Sequence, residues 1–68
     1  MSAPTVIIHT GSIVRDVTVN RTHGTYKVHR LPSGWFVFYR GDLLGTERTR
    51  KLAQHRIVRH VVANPSAT

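Results

Sequence analysis

A chain of 68 residues, 40% hydrophobic and 19% charged, makes one small folded domain, too short for a second and too apolar to stay disordered. The absence of cysteine excludes a disulfide framework and any thiolate metal site, so a thin core must rest on packing or on a partner. Ten Lys and Arg stand against Asp16, Asp42 and Glu47 for a net charge of +7, and all the cations except Lys27 and Lys51 are Arg, whose planar donor fork suits phosphate and guanine edges.

Residues 1–4 and 64–68 are small and polar, with a proline in each, and predict flexible termini around a domain spanning 5–63. Thr5 to Ile8 and Ile13 to Val19 are rich in β-branched apolar residues and read as two short strands joined through His9-Thr10-Gly11-Ser12. In the second, Ile13, Arg15, Val17 and Val19 share a face, with Arg15 the one discordant member. Asn20-Arg21-Thr22-His23-Gly24 reads as a turn cluster, and Thr25 to Leu31 as a strand with Tyr26 and Val28 on one side and Lys27 and His29 on the other. Leu31-Pro32-Ser33-Gly34 is a second turn. Trp35 to Tyr39 follows as the most strand-like run, with Trp35, Val37 and Tyr39 on one face and Phe36 and Phe38 on the other, which makes it a strand that is central or covered on both faces.

Gly41-Asp42 reads as a hairpin turn, Leu43-Leu44 as a short returning strand, and Gly45 as the break before a helix. From Glu47 to Ala63 there is no Pro or Gly, and Ala53, Ile57 and Val61 recur at every fourth position, the spacing of one apolar helical stripe. Thr46 or Thr49 caps its start, Glu47 lies at the positive end of its dipole, and Arg59 and His60 lie near the negative end. Arg48, His55, Arg56 and Arg59 then project opposite the stripe and make the outer helix face basic, while Val58 and Val62 widen the apolar side. The expected architecture is α+β: a small antiparallel β-sheet of about four strands packed against one C-terminal α-helix.

Three acids scattered over a strand, a turn and a helix start do not converge as a catalytic pair, so no enzyme activity is expected. Of His9, His23, His29, His55 and His60, the helical pair His55 and His60 is five residues apart and so ~140° around the helix, which argues against a metal site. Gly45 alone before a helix is no nucleotide cradle, and no cofactor is expected. Tyr26, Trp35, Phe36, Phe38 and Tyr39 lie amid Lys27, His29, Arg30 and Arg40, the composition of a sheet that stacks bases or straddles a groove, although so short a chain also needs its aromatics as core. One helix cannot cover both sheet faces. Unless residues 5–20 wrap over the second face, either Phe36 and Phe38, or Trp35 and Tyr39, are left for a partner or a second copy.

The run Tyr26-Lys27-Val28, the Pro-Ser-Gly turn, Gly34-Trp35-Phe36-Val37, Gly41-Asp42, Leu43-Leu44-Gly45, then Thr49 and Ala53 resembles the three-stranded-sheet-plus-helix layout of AP2-type and integrase arm-type DNA-binding domains over residues 25–63. The resemblance implies a sheet that enters the major groove with a helix packed behind it; the third strand is shorter than in those families and the N-terminal strand pair is additional. A short Arg-rich chain with such a pair is also similar to small accessory proteins encoded by actinobacterial phages, which implies the host cytoplasm. No apolar run reaches the ~20 residues of a membrane span, and the N-terminus lacks a secretory leader's basic start, so the protein is expected to be cytoplasmic and away from membranes. The resulting expectation is a non-catalytic protein that binds nucleic acid, double-stranded DNA first, through Lys27, His29, Arg30, Arg40, Arg48, Arg56 and Arg59. The alternative is a protein-interaction module, such as a phage-encoded factor docking on a host protein or a homodimer.

Overall fold

The computed structural model describes residues 3–67, in which the strands β1 (Val6–Ile8), β2 (Val14–Val19), β3 (Thr22–Leu31), β4 (Gly34–Tyr39) and β5 (Asp42–Glu47) precede the helix α1 (Arg50–Ala63) and a single 3-10 turn at Pro65–Ala67. The strands form one antiparallel sheet in chain order, β1-β2-β3-β4-β5. The α+β architecture is therefore as expected, with a fifth strand. Met1, Ser2 and Thr68, where part of the terminal fraying is expected, lie outside the described residues.

Alternation decides which face of the sheet meets the helix. Val6, Ile8, Val17, Val19, Tyr26, Val28 and Val37 point to one side and are buried against Ala53, Ile57 and Val61 of α1, with Trp35, Tyr39, Leu44 and Val58 packed around them. Each fully buried Val or Ile contributes about 1.5 to 3 kcal/mol, which makes this single layer the main source of stability. At one end of it the Tyr26 hydroxyl and His60 Nδ1 lie 2.5 Å apart, so the largest fully buried side chain keeps a polar partner. Phe36 and Phe38 face the opposite side, which carries no helix; of the two open alternatives, that pair is the one left uncovered.

The helix also closes one edge of the sheet. On either side of β1, the His9 amide donates to Asp16 O and Thr5 O accepts from the Asn20 amide, so the antiparallel ladder turns the carbonyls of Val6 and Ile8 outward. Gln54 Nε2 donates to Val6 O at 2.8 Å and Arg50 Nη2 to Ile8 O at 2.5 Å. An edge that would otherwise offer a pairing template is thus capped from α1.

Several boundaries depart from the sequence reading. The β2–β3 connection is only Asn20-Arg21, with Asn20 at φ 56°; Thr22 to Gly24 belong to β3. The positive φ of Gly24 (+85°) accompanies a bulge there, since the register runs from Thr18↔His23 to Asp16↔Lys27. The β4–β5 turn is Arg40-Gly41, both at positive φ, one residue earlier than Gly41-Asp42. Gly45 does not break the chain but lies inside β5, opposite Val37. A bulge at Leu44 sends Leu43 to the open face and Leu44 toward the core. The helix consequently starts at Arg50, three residues after Glu47, with Thr49 as N-cap accepting from the Leu52 amide.

Candidate functional site

Strand register, rather than closeness in sequence, gathers the cations. Arg15 pairs with Val28 and Arg30 with Trp35, so β2, β3 and β4 deliver two guanidiniums and the indole to the same end of the helix-facing side. The Arg15 guanidinium stands 5.2 Å and that of Arg30 5.7 Å from the centroid of the Trp35 ring. Each contact is worth about 0.5 to 1 kcal/mol at a partly exposed site. Arg15 Nε also donates to Ser12 O at 3.3 Å, which anchors the head group from behind.

The third cation comes from beyond β5. Glu47 pairs with Trp35 across the ladder, so the next residue, Arg48, emerges beside the indole. Arg48, Trp35, Arg30, Leu31, Pro32 and Gly34 line an open cleft of about 440 Å³. Thr49 caps α1 immediately afterwards, placing the positive end of the helix dipole at this end of the molecule. Glu47, the acid nearest in the ladder, is already taken: its Oε1 accepts from Arg56 Nε at 2.8 Å and from Arg56 Nη2 at 2.6 Å. Among the described residues this is the one ion pair, so no carboxylate neutralises Arg15, Arg30 or Arg48.

The expected contact residues therefore fall into separate groups. Arg30 and Arg48 meet at the Trp35 cleft. Lys27 and His29 lie on the open sheet face, around a hollow of about 350 Å³ that includes Phe38, whose ring lies 4.4 Å from that of His29; Arg40 borders the hollow, but its guanidinium stands 5.4 Å from the centroid of the Tyr39 ring on the helix-facing side. Arg59 lies toward the C-terminal end of α1, beside Leu44 and His60. Arg56 does not face away from the sheet as expected; its guanidinium reaches back over Gly45, where an added Cβ would come within 2.7 Å of Cζ. Arg15 stands outside the expected set although the sequence carries a signal for it, since a cation on a face of valines needs a partner, and the partner is Trp35.

The histidines serve other ends. Thr18, the one buried polar side chain of the sheet, has its hydroxyl 2.6 Å from His9 Nε2 and 2.8 Å from His23 Nδ1. With both rings neutral, one accepts the hydroxyl proton and the other donates N–H to the same oxygen, which ties β1, β2 and β3 together on the open face. No cluster of three His, Asp or Glu side chains is placed to hold a metal ion among the described residues, and no helix among them is long and apolar enough to cross a membrane. Compared with protein-family models, with curated proteins and with solved structures, the chain finds no match.

Proposed function

We propose that this protein binds nucleic acid, double-stranded DNA first, by gripping the phosphate backbone and without catalysing a reaction. The observation that carries the reading is the convergence of Arg15, Arg30 and Arg48 on Trp35 with no carboxylate among the described residues to neutralise them. Holding like charges together is costly unless an anion bridges them, and guanidinium forks fit phosphate oxygens in pairs. The net charge of +7 adds counterion release to the same end.

The test is a mobility shift on duplex DNA across a salt series. Arg30→Ala with Arg48→Ala is expected to weaken binding and to lower the salt slope by about two units, near 0.9 for each phosphate no longer gripped. Lys27→Ala with Arg40→Ala removes Lys27 from the open sheet face and Arg40 from the far end of β4, and is expected to matter less. The reverse ranking means that the open face docks, as the resemblance to AP2-type and integrase arm-type domains implies. Wild-type binding weaker than about 10⁻⁴ M at physiological salt would exclude even non-specific association.

A second reading rests on a separate observation. Phe36 and Phe38 are half-buried and Val14 and Leu43 exposed on the sheet face that no helix covers. If DNA binding fails, this face is the surface for a protein partner, a host protein or a second copy of the chain.

A further inference from the structure

We infer that the Trp35 cleft is a subsite for one unpaired nucleotide of a nucleic-acid strand, its base laid against the indole beside Pro32 and its phosphate held by Arg30 and Arg48. The inference rests on the nucleic-acid reading but departs from its duplex-first form: a duplex meets only the phosphate-gripping arginines, and the cleft adds affinity for an unpaired strand. A pure backbone clamp needs only cations. This end of the molecule also places an indole and a proline beside its arginines, surface that phosphate alone does not use.

The shape of the site points the same way. The guanidiniums of Arg15 and Arg30 stand 5.2 and 5.7 Å from the Trp35 centroid, so the indole is a flat π surface ringed by cations, and the ligand that uses both is flat and carries negative charge. A nucleobase with an anionic tail is flat at one end and charged at the other, matching an indole with arginines around it. A cleft of about 440 Å³ falls within the ~300 to 1,000 Å³ of small-ligand sites. A base inside a duplex has both faces covered by its neighbours and offers only its edges, so it cannot lie on Trp35; an unstacked base can. An acidic peptide would satisfy the arginines but would leave the stacking surface unused.

Trp35 is the single tryptophan of the chain, so its emission reports on this cleft alone. The experiment titrates the whole protein at low salt with a single-stranded oligothymidylate and with a blunt duplex of equal length, following Trp35 emission and mobility shift in parallel. Competitions use adenosine 5′-monophosphate, ribose 5-phosphate and poly-glutamate. The single strand is expected to quench Trp35 and to bind about tenfold more tightly than the duplex, the scale of one base–aromatic stack. The mononucleotide is expected to compete where ribose phosphate does not. Arg48→Gln, at an exposed position outside the helix, is expected to reduce that preference while leaving the melting temperature unchanged.

Equal affinity for both forms, or mobility shifts without any change in Trp35 emission, would overturn the subsite and leave the nucleic-acid reading standing. Poly-glutamate that quenches and competes as well as the oligonucleotide would overturn it in favour of an acidic peptide. No shift with either nucleic acid would remove the underlying reading itself.

Discussion

At the scale of single residues, two glycines that look alike in sequence do opposite work. Gly34 opens β4 at φ +140°, and a Cβ there would meet the backbone carbonyl oxygen of Glu47 at 2.8 Å. Neither the backbone nor that carbonyl can yield, so Gly34→Ala is expected to cost about 2 to 3 kcal/mol. Gly45 has no positive φ, and a Cβ there meets only the guanidinium end of Arg56. Arg56 can swing into solvent for the loss of one partly exposed ion pair, so Gly45→Ala is expected to cost less than about 1 kcal/mol. Urea melts of the two variants check the ranking, and equal costs would mean that Arg56 is fixed as rigidly as backbone. Gly45 also explains why β5 reads too short in the sequence: a glycine followed by Thr and Glu has the look of a helix start, and only the fold reveals that a side chain from α1 fills the space above it.

Tyr26 supplies a second expectation at this scale. Burial, and after it the nearby Tyr39, hold its hydroxyl above the ordinary tyrosine value of 10.0, with Arg40 opposing. The native state then keeps this proton longer than the unfolded chain does. Its contribution to stability is complete below about pH 10 and is lost as pH rises beyond that. Tyr26→Phe is expected to melt lower near neutrality by about 1 kcal/mol, because the hydroxyl that meets His60 is gone. The gap from wild type should hold up to about pH 10 and narrow as pH rises beyond that, since phenylalanine has no proton to lose. A gap constant across that range would show that the Tyr26 proton does not contribute. The buried position of Tyr26 is legible from alternation, whereas its partner 34 residues away is not.

At the scale of elements, β1 is a three-residue strand whose place depends on the helix that follows four strands later. Its inner side chains Val6 and Ile8 are buried, and its outer carbonyls are held by Gln54 and Arg50. The double variant Arg50→Ala with Gln54→Ala is expected to free this edge while leaving the hairpin of β3 and β4 untouched. Amide exchange would register it as faster exchange at Asn20, whose N–H donates to Thr5 O, with Val28 and Val37 unchanged. Uniformly faster exchange would instead mean that β1 and the rest of the sheet open as one unit. The β3–β4 hairpin is legible in the sequence because each residue alternates cleanly between faces. The limits of β5 and α1 are not, because a bulge at Leu44 and an ion pair between Glu47 and Arg56 are set by partners distant in sequence. The Arg15, Arg30 and Arg48 cluster escapes for the same reason: three arginines spaced 15 and 18 residues apart become neighbours only once the strand register is known.

At the scale of the whole molecule, the charge that favours a polyanion also works against folding. A net +7 is held within a body of 36 × 20 × 18 Å, and among the described residues a single ion pair offsets it. At an ionic strength of about 0.01 M the screening length is ~30 Å, so nearly every cation feels every other; at about 0.15 M it shrinks to ~8 Å and only close neighbours interact. Unfolding spreads the charges apart and relieves this repulsion, which makes low salt destabilising. Sodium chloride is therefore expected to raise the melting temperature over that interval. A gain of about 1 kcal/mol would appear as roughly 4 to 8 °C for a domain of this size. Nucleic-acid affinity must move the other way over the same interval, because screening and counterion competition weaken phosphate contacts. Opposite signs in the two measurements identify a surface whose cations are gathered for an external anion. A melting temperature that is flat or falls with salt would mean that the arginines are already neutralised within the fold, and the argument from charge to a polyanionic partner would fail.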